Sequence, residues 1–232
     1  MRVVHISTAD WLGGAARAAY RLHAGLQRLS DGGTPVRSSM LVASRVTGDP
    51  SVLQFRPSGG MLTAALRRTR RWRIDSQLAH ASRSRPNGFE PFNGDRSAYQ
   101  RGELIEALPG CDLVNLHWVS ELIDYSTFLP QMCAKMPVVW TLHDMNVLTG
   151  GCHYDDGCGL HERGCGSCPQ LGSSKGSDLA SHIWKRKRKL FASLPANRLH
   201  VVAPSRWLAD AARSSPLLGR FNVMVIPYGL DT

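Results

Sequence analysis

The stretch that decides the fold is residues 1–29, MRVVHISTADWLGGAARAAYRLHAGLQRL. An apolar run containing Val3, Val4 and Ile6 predicts a buried strand, and a loop with paired glycines follows it. From Ala15 onward apolar residues recur at helical spacing, so the stretch predicts a strand, a glycine loop and a helix. This order is the opening unit of a parallel α/β sheet.

The same alternation continues along the chain. Apolar runs predict further strands in SSMLVASR, VLQFRP, CDLVNLHWV, PVVWTLHD, RLHVVAPS and FNVMVIPYGLDT. Helical spacing predicts helices in MLTAALRRTRRWRIDSQLAH, DYSTFLPQMCAKM, SDLASHIWKRKRKLFASL and SRWLADAARSS. The segment SRSRPNGFEPFNGDRSAYQRG is rich in turn residues and predicts a long loop. Together these elements predict one α/β domain over residues 1–232, with a Rossmann-like, doubly wound parallel sheet covered on both faces.

Composition and charge limit the classes of function. The 232 residues are 43% hydrophobic, which suits a globular core, and no run of about 18 apolar residues predicts a membrane span. The N-terminus lacks the pattern of a signal peptide, so we expect a cytoplasmic, reducing location. An excess of 28 Lys and Arg over 18 Asp and Glu gives a formal charge of +10. That charge favours anionic ligands, whether nucleic acid, lipid headgroups or phosphorylated small molecules, without choosing among them.

In doubly wound sheets, ligands bind in the crevice at the carboxyl ends of the strands. The residues predicted there are the candidates for binding and catalysis, and we expect them to line one crevice. They are residues 7–14, His117 with Trp118, His143 with Asp144, Ser205 with Arg206, and Tyr228 with Gly229.

Gly13 and Gly14 lie between the first strand and the first helix. The missing side chains let backbone N–H groups and the helix dipole approach an anion such as a diphosphate. A tight turn explains the two glycines equally well. The loop is not G-x-G-x-x-G, and no acidic residue stands where a nicotinamide ribose needs one, so a Rossmann dehydrogenase is disfavoured.

His143 and Asp144 end the predicted strand PVVWTL and place an imidazole and a carboxylate at the crevice rim. The histidine could donate a hydrogen bond to a sugar hydroxyl or take part in proton transfer. A structural histidine bound to a backbone carbonyl would leave the same pattern. His117 is a weaker candidate of the same kind, because its neighbour Trp118 is more often a packing residue.

A cysteine-rich loop spans residues 150–171, and its last two cysteines form CGSC, the knuckle spacing that lets two thiolates bind one zinc. In a reducing compartment four clustered thiols favour a structural zinc, with His153 or His161 as a replacement ligand. An iron–sulfur cluster, two disulfides or free thiols remain alternatives. The metal-ligand candidates are Cys152, Cys158, Cys165 and Cys168.

Two basic stretches have aromatic neighbours: RRTRRWR at 67–73, and KRKRK at 185–189 between Trp184 and Phe191. On amphipathic helices they could lie on an anionic membrane surface. A solvated charged face is the alternative. Nucleic-acid binding is less favoured, because no recognised nucleic-acid motif accompanies the charge.

Several stretches together resemble the N-terminal domain of a retaining glycosyltransferase of family 4, which has the GT-B fold, in a bacterial branch that builds surface polysaccharides. The resemblance covers nearly the whole chain, and it is specific in combination although no single motif suffices. The stretches are HISTADWLGGAARAAYRLHAGL, VNLHWV, VVWTLHDMNVLTGGCHY, CGSCPQL, VVAPSRWLAD and VIPYGLDT.

The resemblance implies two Rossmann-like domains, with the nucleotide-sugar donor held mainly by the C-terminal one and a glycan or lipid-linked acceptor by the N-terminal one. It implies that the loop of Gly13 and Gly14 approaches the donor diphosphate. His143 would contact the donor sugar near the reacting carbon. Asp144, Arg17 and His117 would shape the acceptor side.

In the family, PYGLDT marks the crossing into the second domain, and the chain ends there. The resemblance therefore implies half an enzyme, which binds nucleotide sugar weakly and transfers nothing measurable alone because the donor-binding domain is absent. GT-B enzymes generally need no catalytic divalent ion, so any zinc would be structural. Two alternatives from other classes are a noncatalytic sugar- or anion-binding α/β module and a basic nucleic-acid-binding domain.

Overall fold

The computed structural model of the chain describes residues 1–31, 36–99 and 102–229. Within these ranges seven strands form one sheet of order β3-β2-β1-β4-β5-β6-β7, and every neighbouring pair is parallel. The predicted Rossmann-like α/β fold is confirmed. The strands are β1 Arg2–Ala9, β2 Arg37–Ser44, β3 Val52–Gln54, β4 Leu113–Leu116, β5 Val138–Thr141, β6 Leu199–Ala203 and β7 Asn222–Val225.

The predicted helices all form, and one short helix was not predicted, α3. Pro130 lies inside α4 rather than breaking it. The loop predicted from residue 82 to 102 holds no helix or strand in its described part, and residues 100–101 lie outside the described ranges. So do residues 230–232, the end of the last predicted strand. The helices are α1 Gly14–Asp31, α2 Met61–Ala81, α3 Glu103–Glu106, α4 Tyr125–Lys135, α5 Leu179–Ser193 and α6 Arg206–Ser214.

Side chains alternate between the two faces of the sheet, because successive residues of a strand point to opposite sides. On one face Val4 and Ile6 of β1 belong to the main core together with residues of α4, α5 and α6, such as Phe191. On the other face α1 covers the first strands, where Ala19 packs with Met40. Both clusters are buried, so the register of the strands is strongly specified.

The prediction that helices cover both faces is wrong for one part of the sheet. On the side of α1 an apolar groove of about 660 Å³ lies between that helix and the later strands. It is lined by Leu22 and Leu26 of α1, Val139 of β5, and Val202 of β6. The reason is topological: right-handed crossovers that run from β4 to β7 place α4, α5 and α6 on the opposite face.

The helix predicted over RRTRRWR is α2, and several of its apolar residues face solvent, whereas Leu78 and Ala81 at its end pack against a small core cluster. No described residue of α2 is buried; Leu62 is 84% exposed, and Leu66 and Trp72 are exposed as well. Polar contacts help to attach the helix to the domain; for example, Arg70 donates to Asp124 Oδ2 at 2.6 Å. No helix within the described ranges is long and apolar enough to cross a membrane.

The second basic stretch, KRKRK, forms a surface helix face only in part: Lys185, Arg188 and Lys189 are exposed, and the other two residues are not. Lys187 is fully buried, and Arg186 is paired with Asp95 at 2.5 Å. Trp184 and Phe191, the aromatic neighbours, are buried in the main core. A membrane surface would therefore meet only part of this helix, because the face with the aromatic residues points inward.

Lys187 anchors the segment that follows β5. Its Nζ donates to the carbonyl oxygens of Asn146 at 2.5 Å and Thr149 at 3.1 Å, and it lies 5.6 Å from the ring centre of Tyr125. Burial lowers its pKa to about 8, although Asp95 and neighbouring thiols act in the opposite direction. The folded protein therefore releases this proton at a lower pH than the unfolded chain does.

We predict that wild-type stability rises relative to that of Lys187→Met as the pH is raised from 8 to 10.5. In this window the unfolded lysine still binds its proton and the folded one does not, so stability increases with pH. The difference between the unfolding free energies of the wild type and Lys187→Met should grow by about 3 kcal/mol between the two ends of this pH range. Urea unfolding across this pH range measures it. The exposed Lys189→Met is the control and should give a flat difference; a flat difference for Lys187→Met would contradict the prediction.

Candidate active site

In the sheet, β2 and β3 lie on one side of β1, whereas β4 and the later strands lie on the other side. In doubly wound sheets such a reversal, here between β1 and β4, leaves a crevice at the carboxyl edge. The predicted site residues lie around that edge. The loop of Gly13 follows β1, His117 follows β4, and His143 follows β5. Ser205 follows β6, and Tyr228 follows β7.

Three histidines and a tyrosine form a continuous chain of contacts in this crevice. His5 Nδ1 lies 3.0 Å from His117 Nε2, and His117 Nδ1 lies 3.0 Å from His143 Nε2. His143 Nδ1 lies 2.6 Å from Tyr228 Oη, and the two rings are stacked at 19°. We call these four residues the histidine chain. The structure thus brings together three predicted residues, His117, His143 and Tyr228, and adds His5, which was not predicted.

The register of the sheet produces this alignment. His5 pairs with Asn115, so His117 lies two residues further toward the carboxyl edge on the same face. Asn115 in turn pairs with Val139, and His143 lies four residues beyond Val139. Each histidine therefore lies two residues nearer the carboxyl edge than the previous one. A histidine within the first strand and histidines just after two later strands, at positions that share one face, are the sequence signal that could have identified the chain.

All three histidines are neutral near pH 7. Burial lowers the pKa of His5 to about 3 and that of His117 well below its ordinary value. Burial also lowers the pKa of His143 to about 4, although the nearby Asp144 acts in the opposite direction. Each ring therefore carries one proton, and His143 meets a ligand as an imidazole rather than as an imidazolium.

Asp144 is engaged in contacts within its own loop. Its Oδ2 lies 2.6 Å from His153 Nδ1, and its Oδ1 accepts from the backbone N–H of Asn146 at 2.8 Å. The other nitrogen of His153 lies 2.8 Å from Asn93 Oδ1. Both carboxylate oxygens thus hold the start of the cysteine-rich loop, so this geometry favours a positioning role for Asp144.

The glycine loop leaves open space above the N-terminus of α1. Gly13 has a φ of +89°, which favours glycine, and Gly14 is the first residue of the helix. A Cβ at either position would meet no atom within 4 Å. Arg17 is exposed in the first turn, which contains no acidic residue. This end of the helix is therefore open, with the backbone dipole and a cation facing solvent.

Ser205 and Arg206 begin α6. Ser205 is the N-cap of the helix, and its Oγ accepts from the N–H of Leu208 at 3.2 Å. Its hydroxyl is therefore used in the fold, whereas Arg206 is exposed.

Sequence reasoning missed an aromatic pair at the same edge. Tyr154 and Trp207 stack at 27° with ring centres 6.2 Å apart, and they are 42% and 56% exposed. Asp144 contributes to raising the pKa of Tyr154, and Tyr154 contributes to raising the pKa of Tyr228. These electrostatic interactions show that the aromatic pair lies beside the histidine chain. Its members are 53 positions apart in the sequence, and only the fold brings them together.

The cysteine-rich loop brings its thiols into one neighbourhood without forming a metal site. Burial raises the pKa of Cys152 to about 12, and the thiols of Cys165, Cys168 and Cys158 raise it further. Gly150 N–H donates to Cys165 Sγ at 3.2 Å. All six cysteines are free. Within residues 1–31, 36–99 and 102–229, no group of three or more His, Cys, Asp or Glu is arranged to hold a metal ion, so the structure does not support the predicted zinc.

Comparison with known proteins gives one partial similarity. No protein-family profile matches the chain. The chain is 36% identical over 96 residues to a protein of Escherichia coli (strain K12) described as "Putative colanic acid biosynthesis glycosyl transferase WcaC". The aligned segment covers 40% of this chain and 23% of that protein, so the match spans less than a quarter of the relative. Over two fifths of its length, the chain is therefore similar to a glycosyl transferase.

Proposed function

We propose that the chain is the acceptor-binding half of a retaining glycosyltransferase, the N-terminal half of a GT-B fold. The reaction moves a sugar from a nucleotide-sugar donor to a glycan or lipid-linked acceptor in polysaccharide biosynthesis. The observation that carries the proposal is His143, a neutral imidazole at the carboxyl edge beside the point where the strand order reverses. The partial similarity to a glycosyl transferase supports it.

The donor diphosphate approaches the open N-terminus of α1. Gly13 and Gly14 leave space there, and the helix dipole and Arg17 favour negative charge. The nucleotide itself is held by a second domain, so this domain alone binds nucleotide sugars weakly.

The acceptor lies across the aromatic pair. The apolar C–H face of a sugar ring stacks well on a flat aromatic surface, and Tyr154 and Trp207 offer such a surface beside the histidine chain. Asp144 and His153 hold the loop that carries Tyr154, and Arg206 lies next to Trp207 in the chain.

Catalysis proceeds with retention of the anomeric configuration. The departing diphosphate gathers negative charge in the transition state, and the helix end stabilises that charge. The same diphosphate takes the proton of the acceptor hydroxyl, so no side-chain base is needed. The role of His143 is to orient the donor sugar by hydrogen bonding, which suits an imidazole that stays neutral down to about pH 4.

A lipid-linked acceptor would place the protein at the inner face of a membrane. The exposed Leu62 and Leu66 of α2, next to arginines, suit contact with an anionic surface. Co-sedimentation with anionic and neutral vesicles measures this contact, and equal absence from both pellets would exclude it.

Zinc at the four cysteines stays a proposal from their spacing. Backbone N–H groups of Leu171 and Gln170 act on Cys168 to lower its pKa, against the larger effect of burial. The cation of Lys187 is close enough to Cys152 and Cys165 to interact with them electrostatically. These groups oppose, without reversing, the effect of burial, which raises the pKa of Cys152, Cys165 and Cys168, so a bound zinc would itself have to stabilise the thiolates. The metal would stabilise the loop beside the acceptor and perform no chemistry.

The proposed role of the aromatic pair can be tested by ligand binding. Trp207→Ala should weaken binding of surface-polysaccharide oligosaccharides by about tenfold, the loss of about 1.4 kcal/mol from one aromatic platform. Titration of the labelled protein with the oligosaccharides, followed by NMR, measures this change in affinity. In a separate titration, nucleoside diphosphates should shift the amide signals of Gly13 and Gly14. Trp72→Ala, at an exposed tryptophan on α2, is the matched control. If neither class of ligand binds at millimolar concentration, the proposal fails; rapid transfer by this chain alone would contradict the half-enzyme role.

The proposed zinc in the cysteine-rich loop can be tested by metal analysis. Protein purified without chelators should contain about one zinc per chain, and Cys165→Ser or Cys168→Ser should remove it and lower Tm by roughly 5 °C or more. Elemental analysis and thermal unfolding measure the two effects. Cys111→Ser, outside the loop, should change neither. Substoichiometric zinc together with unchanged stability of the loop variants would refute the proposal.

A further inference from the structure

The protons of the histidine chain are coupled. A neutral imidazole has one N–H, which donates, and one bare nitrogen, which accepts. If His117 donates through Nδ1 to His143, its Nε2 must accept from His5; the opposite direction requires the opposite state in all three rings. The chain therefore has two hydrogen-bonded states, with the proton on Nδ1 in all three rings or on Nε2 in all three.

The tyrosine end favours the Nδ1 state. Tyr228 Oη lies 2.6 Å from His143 Nδ1 and donates to the carbonyl oxygen of Leu142 at 3.0 Å. The hydroxyl has one proton. With the proton on His143 Nδ1, the ring donates to Oη and Oη donates to the carbonyl, so every group is satisfied. In the other state one hydroxyl proton would have to serve two acceptors.

The inner end favours the same state. His5 is fully buried, and its Nε2 has no partner among the described residues. In the Nδ1 state this atom is a bare acceptor, whereas in the Nε2 state it is an unpaired N–H. Among buried backbone groups, unpaired donors are rarer than unsatisfied acceptors, and an unmet buried donor loses its full hydration. Both ends of the histidine chain thus select one direction.

We propose that His5 and His117 are positioning residues that hold His143 in the Nδ1–H tautomer, so that His143 presents a hydrogen-bond donor to the crevice. The bare Nε2 of His143 faces His117 and is kept from the ligand. His143 is then a donor to a sugar hydroxyl oxygen and not a general base. The tautomer stands on the contacts alone, and only the identity of the ligand oxygen rests on the proposed function.

Tyr228 occupies the place of that ligand oxygen. Its hydroxyl accepts the Nδ1–H, its ring is stacked on His143, and its side chain is partly exposed near the end of the described chain. A bound sugar hydroxyl would replace Oη on the same N–H. The hydrogen bond is therefore exchanged rather than created when the ligand enters, which keeps the tautomer unchanged.

The test is long-range ¹H–¹⁵N correlation NMR of the histidine rings near pH 7, without any ligand. The wild-type spectrum should report neutral His5, His117 and His143, each with the proton on Nδ1. An Nε2–H tautomer at His143 would overturn the proposal. The measurement involves no substrate, so it stands or fails independently of sugar transfer.

Variants at His117 separate positioning from folding. His117→Phe keeps a ring but removes the donor to His143 Nε2. Because the contact with Tyr228 still favours Nδ1–H, the tautomer should persist, and the ¹⁵N signal of the bare Nε2 should move to that of an acceptor without a hydrogen bond. His117→Asn places an amide N–H near the position of Nδ1 and should restore the wild-type Nε2 signal. His200→Phe, at a histidine of β6 outside the histidine chain, should leave His143 unchanged. An Nε2 signal of His143 that stays unchanged in His117→Phe would refute the role of His117, and the wild-type spectrum remains decisive if that variant does not fold.

Discussion

The candidate site depends on the register between β1, β4 and β5. Because side chains alternate along a strand, a slip of one residue in either pairing would move a histidine to the opposite face. The core side of the same strands prevents the slip, since Val4, Ile6 and their neighbours are buried among helices. Packing on one face thus determines chemistry on the other, and the contacts from His5 to His143 follow from it.

Burial then determines the electrostatic character of the site. A chain with a formal charge of +10 holds its crevice histidines neutral, because burial disfavours their charged form. Two charged groups close by are fixed in structural contacts, with Asp144 on His153 and Lys187 on backbone carbonyls. Both residues hold the segment after β5, since Asp144 also accepts from Asn146 N–H and Lys187 donates to the carbonyls of Asn146 and Thr149. A rim of neutral donors suits recognition of hydroxyl groups better than acid–base catalysis.

The sequence was sufficient for the order of strands and helices, because alternating apolar runs and helical spacing are local properties. It also located His117 and His143, since each directly follows a predicted strand. Features that depend on packing were missed. Lys187 is buried inside a stretch that reads as a charged surface, and α2 leaves Leu62, Leu66 and Trp72 exposed. The pairing of Tyr154 with Trp207 joins a loop to a distant helix. The spacing of the cysteines predicted a zinc site; no group of three or more ligands is arranged for a metal within the described residues, so zinc stays a proposal.

The sheet aligns three neutral histidines into one hydrogen-bonded chain. Scalar coupling between nitrogens across N–H···N hydrogen bonds tests it most directly, in protein with ¹⁵N-labelled histidines. We expect couplings from His5 Nδ1 to His117 Nε2 and from His117 Nδ1 to His143 Nε2. Well-resolved ring signals of these residues that lack both couplings would contradict it.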